Sequence, residues 1–392
     1  MAHAMRILMT VHHPLDRRAG VSAATMGLAD AYRERGHEVA IVSGDDLPRE
    51  IGPRVDEFWW YAWLARHLAG RVAAERFEVV DAAGADAVAW TAIRRRRAPN
   101  ALLVARSHGL LHLYHEARNR ERARGHDRTT RLNRAHEALE RALLRRTMRG
   151  ADLTMFLNHP DRDYAVERLG VEPSRARVAP NGVSDDLLGG PAPEPRPGRP
   201  ARIAWIGGYD FRKGTAYAEA ALVPVLRDHP DVRVTFLGAQ RSPEEIRARY
   251  PADVGERIEV LPRFERSELG ALLREADVLI MPSVAEGFGL AAVEAMACGV
   301  APVVTSVGAF PQIVRHERDG LVVPPAEAEP LRDALERLVG DREELDRLRA
   351  SAHARAQEFT WDRAAEANLA AYEEAIERGP PGVSPRARHT FV

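Results

Sequence analysis

The sequence predicts an α/β protein of two Rossmann-like domains, each a parallel sheet covered by helices on both faces, with a ligand cleft between them. Three observations lead there. Strand-like apolar runs alternate with helical segments along most of the 392 residues, and a proline-rich stretch interrupts the alternation near the middle. With 45% apolar and 29% charged residues and no biased repeat, the composition is that of an ordinary globular chain, and its length is enough for two or three domains of about 150 residues.

The first element, Met5 to Val11, reads as a buried strand. A loop containing Gly20 leads to a helix from about Ser22 to Arg35, which Gly36 stops, and His37 to Val42 resumes as a strand to complete a β-α-β unit. Phe77 to Asp81, Ala101 to Arg106, Leu153 to Leu157 and Arg177 to Ala179 continue the series. From Ser184 to Pro200 the chain has five prolines and three glycines after Leu188, the composition of a linker. A second series follows at Ile203 to Ile206, Val232 to Leu237, Arg257 to Leu261, Val278 to Met281 and Pro302 to Thr305. The predicted division is therefore 1–183, a linker at 184–200, and 201–360. Beyond it, Thr360 caps a terminal helix over 361–378, and 379–392 form a tail.

Charge narrows the function. Fifty-six basic and 57 acidic residues leave a net charge of -1, against a surface built throughout for nucleic acid. Glu116 to Arg149 is the local exception, with eleven arginines against five acidic residues and Leu132, Leu139, Leu143 and Leu144 interspersed. It reads as an amphipathic helix with a solvated face, or as a patch for an anionic lipid headgroup or a phosphorylated acceptor. No run approaches the roughly 18 apolar residues of a membrane span, and Ile7 to Val11 is too short for a signal peptide, so a cytoplasmic location is expected. The single cysteine, Cys298, forms no intramolecular disulfide, in keeping with a reducing compartment.

The chemistry concentrates after the strand ending at Met281. Pro282 to Leu290 reads PSVAEGFGL and leads into an alanine-rich helix. Gly287 and Gly289 let the backbone approach a ligand at a helix N-terminus, where free N–H groups and the helix dipole favour phosphate. If the helix starts near Phe288, Leu290 and Glu294 lie on one stripe with Glu286 just ahead of it, and the two carboxylates, roughly 10 Å apart, can bracket a nucleotide sugar. Lys213 is the only lysine in the chain, which suggests a site that needs a point charge on a flexible stem. Asp161-Arg162-Asp163 has the spacing of a metal motif but follows His159-Pro160 and reads as helix N-terminal capping, so no metal is expected.

Glu286-Gly-Phe-Gly-Leu with Glu294, followed by Gly299-Val-Ala-Pro-Val-Val-Thr, resembles the E-x7-E signature of retaining glycosyltransferases of family GT4. Arg106-Ser-His108-Gly109, Pro180-Asn-Gly-Val and Gly207 to Gly214 fall in the order of that family's other landmarks, and the likeness runs from Met5 to Ile376. The resemblance implies a GT-B fold, with an acceptor-binding N-terminal domain, a donor-binding C-terminal domain and a final helix packing back on the N-terminal one. It also implies a hydroxyl acceptor (small molecule, lipid or saccharide) and a hexose-type donor carried on UDP, GDP or dTDP, transferred with retention and without metal or cofactor. His108, Lys213 and Glu286 become the candidate catalytic residues. Gly20, Arg212, Gly287, Phe288, Gly289, Leu290 and Glu294 become candidate substrate contacts. In one departure from the family pattern, position 208 is glycine instead of arginine, which makes Arg212 the candidate replacement.

Other readings are weaker. The first β-α turn, His12 to Gly20, holds one glycine and no G-x-G-x-x-G, against a nicotinamide dehydrogenase. A phosphorylase of this architecture would use Lys213 as its pyridoxal phosphate lysine. A sugar-nucleotide epimerase and a non-catalytic nucleotide-sugar-binding partner are the remaining alternatives.

Overall fold

The computed structural model describes residues 3–17, 20–48, 53–128 and 130–379, of which 53–58 by backbone only; the expected tail over 379–392 lies outside it apart from Gly379. The chain divides into two compact units. Unit 1 holds residues 1–111, 130–182 and 361–392, and unit 2 holds 112–129 and 183–360.

In chain order the first half contains β1 Arg6–Val11, α1 Gly20–Glu34, β2 Glu38–Ser43, α2 Pro53–Ala74, β3 Val79–Ala83, α3 Trp90–Arg97 and β4 Leu102–Arg106. It continues with α4 Leu111–Ala123, α5 Arg131–Gly150, β5 Leu153–Phe156, α6 His159–Tyr164 and β6 Ala176–Val178. After α7 Asp185–Leu188 come β7 Arg202–Ile206, α8 Thr215–Asp228, β8 Arg233–Leu237, α9 Pro243–Arg247, α10 Ala252–Gly255 and β9 Ile258–Leu261. Then follow α11 Leu269–Arg274, β10 Val278–Met281, α12 Leu290–Ala297, β11 Ala301–Thr305, α13 Phe310–Ile313 and β12 Leu321–Val323. The last helices are α14 Ala328–Gly340, α15 Arg342–Ala356 and α16 Trp361–Arg378.

Each unit has one six-stranded parallel sheet, in the order β2-β1-β3-β4-β5-β6 in unit 1 and β12-β11-β10-β7-β8-β9 in unit 2. The order reverses between β1 and β3 in the first sheet and between β7 and β10 in the second. At such a switch point the two following loops diverge to opposite faces and leave a crevice at the carboxyl ends of the strands. Strands β1, β3, β10 and β11 are buried almost throughout, as expected for parallel strands covered on both faces.

Three features differ from the sequence-based division. Residues 112–129, expected in the N-terminal domain, belong to unit 2, where Ala117 packs with Tyr217 and Val284. The expected basic helix across 116–149 is broken into α4 and α5 by the glycine at 125 (φ +84°), and Thr130 caps α5 by accepting from the Asn133 N–H at 3.2 Å. The proline-rich linker lies against unit 2: Leu187 and Leu188 are buried, Arg196 pairs with Asp277 at 3.0 Å, and Pro193 fills the space beside Gly299. Proline there limits the freedom of a segment that is bound along its length.

Helix α16 belongs to unit 1. Ala364, Ala365, Leu369, Tyr372 and Ala375 share a core with Leu28, Tyr32, Val79 and Val104, and the Trp361 ring fills the space that a side chain at Gly27 would need.

Candidate active site

In unit 2 the site is built at the switch point, from the loops after β7 and β10. β7 is followed by Gly207 (φ +110°), whose carbonyl accepts from Trp205 Nε1 at 2.9 Å. A short turn over Phe211–Lys213 follows, capped by Asp210, whose carboxylate accepts from the Arg212 N–H at 2.8 Å. Gly214 (φ +76°) then starts α8 so close to β10 that a Cβ would sit 1.9 Å from the Pro282 carbonyl oxygen. Only glycine permits that approach. With Val284 N donating to the Arg212 carbonyl at 2.8 Å, the two loops are held as one surface.

The result is an ion pair that no sequence spacing reveals. Lys213 Nζ donates to Glu286 Oε2 at 2.5 Å, with each side chain 13% exposed. Burial would raise the Glu286 carboxyl, but the charges of Lys213 and Arg212, the Lys213 hydrogen bond and the Gly287 N–H outweigh it and hold the carboxyl below its ordinary range. Arg212 is half-exposed and its charge is felt at Glu286, so it adds to the positive field although Gly208 carries none.

Helix α12 begins at Leu290, two residues later than expected, with Gly289 in the left-handed region (φ +85°) at its N-cap. A side chain at Gly289 would strike the Phe310 ring, and one at Gly308 would strike the Glu286 carbonyl, so the 286–289 loop rests directly on the 308–310 turn. Phe288 is buried edge-on to Phe359, which leaves its neighbours Gly287 and Gly289 to offer backbone. Leu290 is half-buried. Glu294 is 7% exposed and pairs with Arg266 at 2.6 Å. Arg266 carries no motif, and the sequence reading missed it.

Residues 112–129 border this surface. The Arg118 guanidinium lies 5.3 Å above the Phe211 ring and Tyr114 stands beside it at 6.1 Å. The Tyr217 hydroxyl donates to the buried Glu121 carboxylate at 2.9 Å, which fixes α4 against α8.

Unit 1 gathers a second set of residues at its own switch point. His12, after β1, and Thr10 both bond the buried Asp86, after β3, at 2.9 Å each. His108 follows β4, and both of its ring nitrogens are buried without a hydrogen-bond partner. Burial, helped by the Arg106 charge and opposed by Asp81, pushes the imidazole down to about 3 and keeps it neutral. The backbone at His108 is held from two sides. Arg106 pairs with Asp81 at 2.6 Å and donates to Asn368 and Tyr372 of α16 at 2.8 Å each. On the other side, the Leu110 N–H donates to Asp161 at 2.8 Å.

Asp161 was expected to cap α6, but Asn158 does so, accepting from the Asp161 N–H at 2.7 Å, and the freed carboxylate turns to the His108 loop. Asp163 pairs with Arg162. Gly20 opens α1, exposed, with nothing near the position of a Cβ. Among the described residues no group of three or more His, Cys, Asp and Glu side chains could hold a metal ion.

Two parallel-sheet units, one of them with a lysine-carboxylate pair on glycine-rich loops at a strand switch point, define an α/β protein of the Rossmann-like class. Residues 18–187 match the model of Glycosyltransferase Family 4, and residues 200–341 match that of the Glycosyl transferases group 1. The chain belongs to the family 4 glycosyltransferases. It is 31% identical over 248 residues to a D-inositol 3-phosphate glycosyltransferase of Xylanimonas cellulosilytica, covering 59% of this chain and 58% of that one. A protein of the same name from Pseudarthrobacter chlorophenolicus is 37% identical over 162 residues, covering 41% and 39%. The chain thus spans well under two thirds of the length of these curated relatives. In fold it is similar to sucrose-phosphate synthase from Thermosynechococcus elongatus (TM-score 0.76, 19% identity, 95% and 100% covered). It is also similar to Anabaena HepE in complex with UDP and glucose (TM-score 0.69, 17% identity, 94% and 99% covered). These likenesses fit the GT-B fold.

Proposed function

We propose that the protein transfers a hexose-type sugar from a nucleoside-diphosphate sugar to a hydroxyl acceptor, with retention of anomeric configuration and without metal. The observation that carries this reading is the Lys213–Glu286 pair, set at the switch point of unit 2 beside the N-terminus of α12. A diphosphate at that N-terminus meets the Gly289 and Leu290 amides and draws on the charges of Lys213 and Arg212. Glu286, kept ionised by its neighbours, accepts hydrogen bonds from sugar hydroxyls, and Glu294, held by Arg266, accepts from the ribose. In unit 1, His108 is neutral and unpartnered, with one nitrogen able to donate and the other to accept.

In the reaction the bond between the anomeric carbon and the phosphate oxygen breaks, and its electron pair stays on the nucleoside diphosphate. Lys213, Arg212 and the helix amides stabilise that charge as an oxocarbenium-like sugar forms. The acceptor hydroxyl attacks from the side the phosphate leaves, and the departing phosphate oxygen takes its proton. In this reading these cations supply the positive charge that a metal would otherwise bring to the phosphates.

The relatives' name makes D-inositol 3-phosphate the first acceptor to try, and UDP, bound in HepE, the first nucleotide. Cys298, a lone buried thiol, suits a cytoplasmic enzyme. A thermal-shift screen with UDP, GDP and dTDP tests the donor assignment. A ligand at a hundred times its Kd stabilises by about 2.7 kcal/mol. No shift with any of the three would overturn it.

A further inference from the structure

We infer that the solvent face of α5 is a docking surface for an anionic lipid bilayer. The helix is pinned to unit 1 by a narrow inner face on which Glu137, Leu144, Thr147 and Met148 are buried. Its outer face carries five exposed arginines, Arg131, Arg134, Arg145, Arg146 and Arg149; among the described residues none of them is in an ion pair, and Arg145 donates to the Leu169 carbonyl at 3.2 Å. The two acidic residues of the helix, Glu137 and Glu140, are both turned away from that exposed set. A face meant only to stay solvated in water interleaves charges of both signs; this one presents a single sign.

The apolar residues make the second observation. Leu132 and Leu139 are 65% and 43% exposed, one helical repeat of seven residues apart, with Ala135 and Ala142 exposed on the same stripe. At 100° per residue these four fall within about 80° of one another with Arg146 among them, and Arg131, Arg134, Arg145 and Arg149 fall in the adjoining sector. An apolar ridge flanked by a basic one is the pattern of a helix lying in the plane of a membrane interface, leucines in the acyl boundary and arginines on the headgroup phosphates. The basic face continues past the end of α5. Arg94 donates to the Gly150 carbonyl at 3.0 Å and so brings α3 alongside, with Arg96, Arg97 and Ile93 exposed. The preceding helix α4, which also carries arginines, does not share this character, because Arg118 and Arg122 are both bonded to Asp127. The surface is distinct from the residues proposed to handle donor, so the inference stands or falls apart from the transfer reaction.

The test is co-sedimentation of the full chain with vesicles of phosphatidylcholine alone and of phosphatidylcholine with phosphatidylglycerol. Binding is expected only to the anionic vesicles and should weaken as salt rises. At about 1 kcal/mol per arginine near an anionic surface, the triple change Arg134→Ala, Arg145→Ala and Arg149→Ala should lower the partition coefficient about a hundredfold. Leu132→Ser with Leu139→Ser, which leaves the charge unchanged, should lower it about tenfold. Failure of the wild-type chain to bind anionic vesicles would overturn the proposal, as would undiminished binding by the arginine variant. Concentration-dependent self-association that the leucine variant abolishes would place a second copy of the chain on this face and would overturn it too.

Discussion

Replacing Lys213 by alanine separates two roles of the Lys213–Glu286 pair. Its ammonium lies 2.5 Å from the carboxylate in a loop whose backbone is fixed by Gly214 and Val284, so the change removes charge and leaves the loop in place. A unit charge about 4 Å from a phosphate oxygen at an effective dielectric of 20 is worth about 4 kcal/mol. Much of that is already realised on the charged ground-state diphosphate and appears as donor affinity. The increment on the leaving group, by analogy with loss of one oxyanion donor, costs about 10² to 10³ in turnover. Stability should fall as well, because Glu286 loses a partner. Breaking a fully buried pair costs 3–5 kcal/mol, but both side chains are partly exposed and Arg212 and the Gly287 N–H still face the carboxylate, so about 1–2 kcal/mol is expected here. Adding Glu286→Gln removes the unpaired charge and should recover most of that stability while leaving turnover low. Steady-state assays of donor turnover, with urea unfolding of the same samples, measure both quantities. A folded Lys213→Ala protein within threefold of wild-type turnover would refute the reasoning.

Three further outcomes follow from the same geometry. Glu294→Gln should weaken binding of nucleoside diphosphate alone, and Glu286→Gln should chiefly reduce turnover of the sugar donor; calorimetric titration that finds equal losses in nucleotide affinity would contradict this division. His108, low at about 3, takes up its proton on unfolding, so its contribution to stability is present above pH 6.5 and is lost as pH falls toward 3, whereas Asp161, raised to about 6 by burial, contributes stability that is lost as pH rises from about 4 to 6. The two slopes oppose between pH 4 and 6, and Asp161→Asn should therefore steepen the acid-side loss of stability by about 1.4 kcal/mol per pH unit in urea titrations at several pH values; an unchanged slope would refute the assignment. Tyr372→Phe removes the hydroxyl that donates to Asp81 and accepts from Arg106 inside the core, and should cost about 1–3 kcal/mol by urea unfolding, with a cost near zero counting against the network.

Most strands were legible because buried parallel strands are continuous apolar runs: Val278 to Met281 was placed residue for residue, and most others within a residue or two. The three-residue β12 was not expected, since Leu321–Val323 is too short for a periodic signal. The glycine-rich loops after β7 and β10 were legible through their glycines, whose positions the φ angles at 207, 214 and 289 explain. What could not be read was long-range partnership. Arg266 beside Glu294, Asp86 beside His12 and Asp161 beneath the His108 loop are ordinary polar residues in sequence, and only the sheet order brings them together. The grouping of 112–129 with unit 2 was hidden for the same reason, because nothing local distinguishes a helix that packs on its own sheet from one that packs elsewhere.

The central claim is transfer with retention by protein groups alone. The direct measurement is NMR of the anomeric proton of the product formed from an α-linked UDP-, GDP- or dTDP-hexose and D-inositol 3-phosphate, in the presence of excess EDTA. The account predicts release of nucleoside diphosphate and an α-linked product with at least one donor. A β-linked product, or no turnover in EDTA with full activity restored by magnesium or manganese, would contradict it.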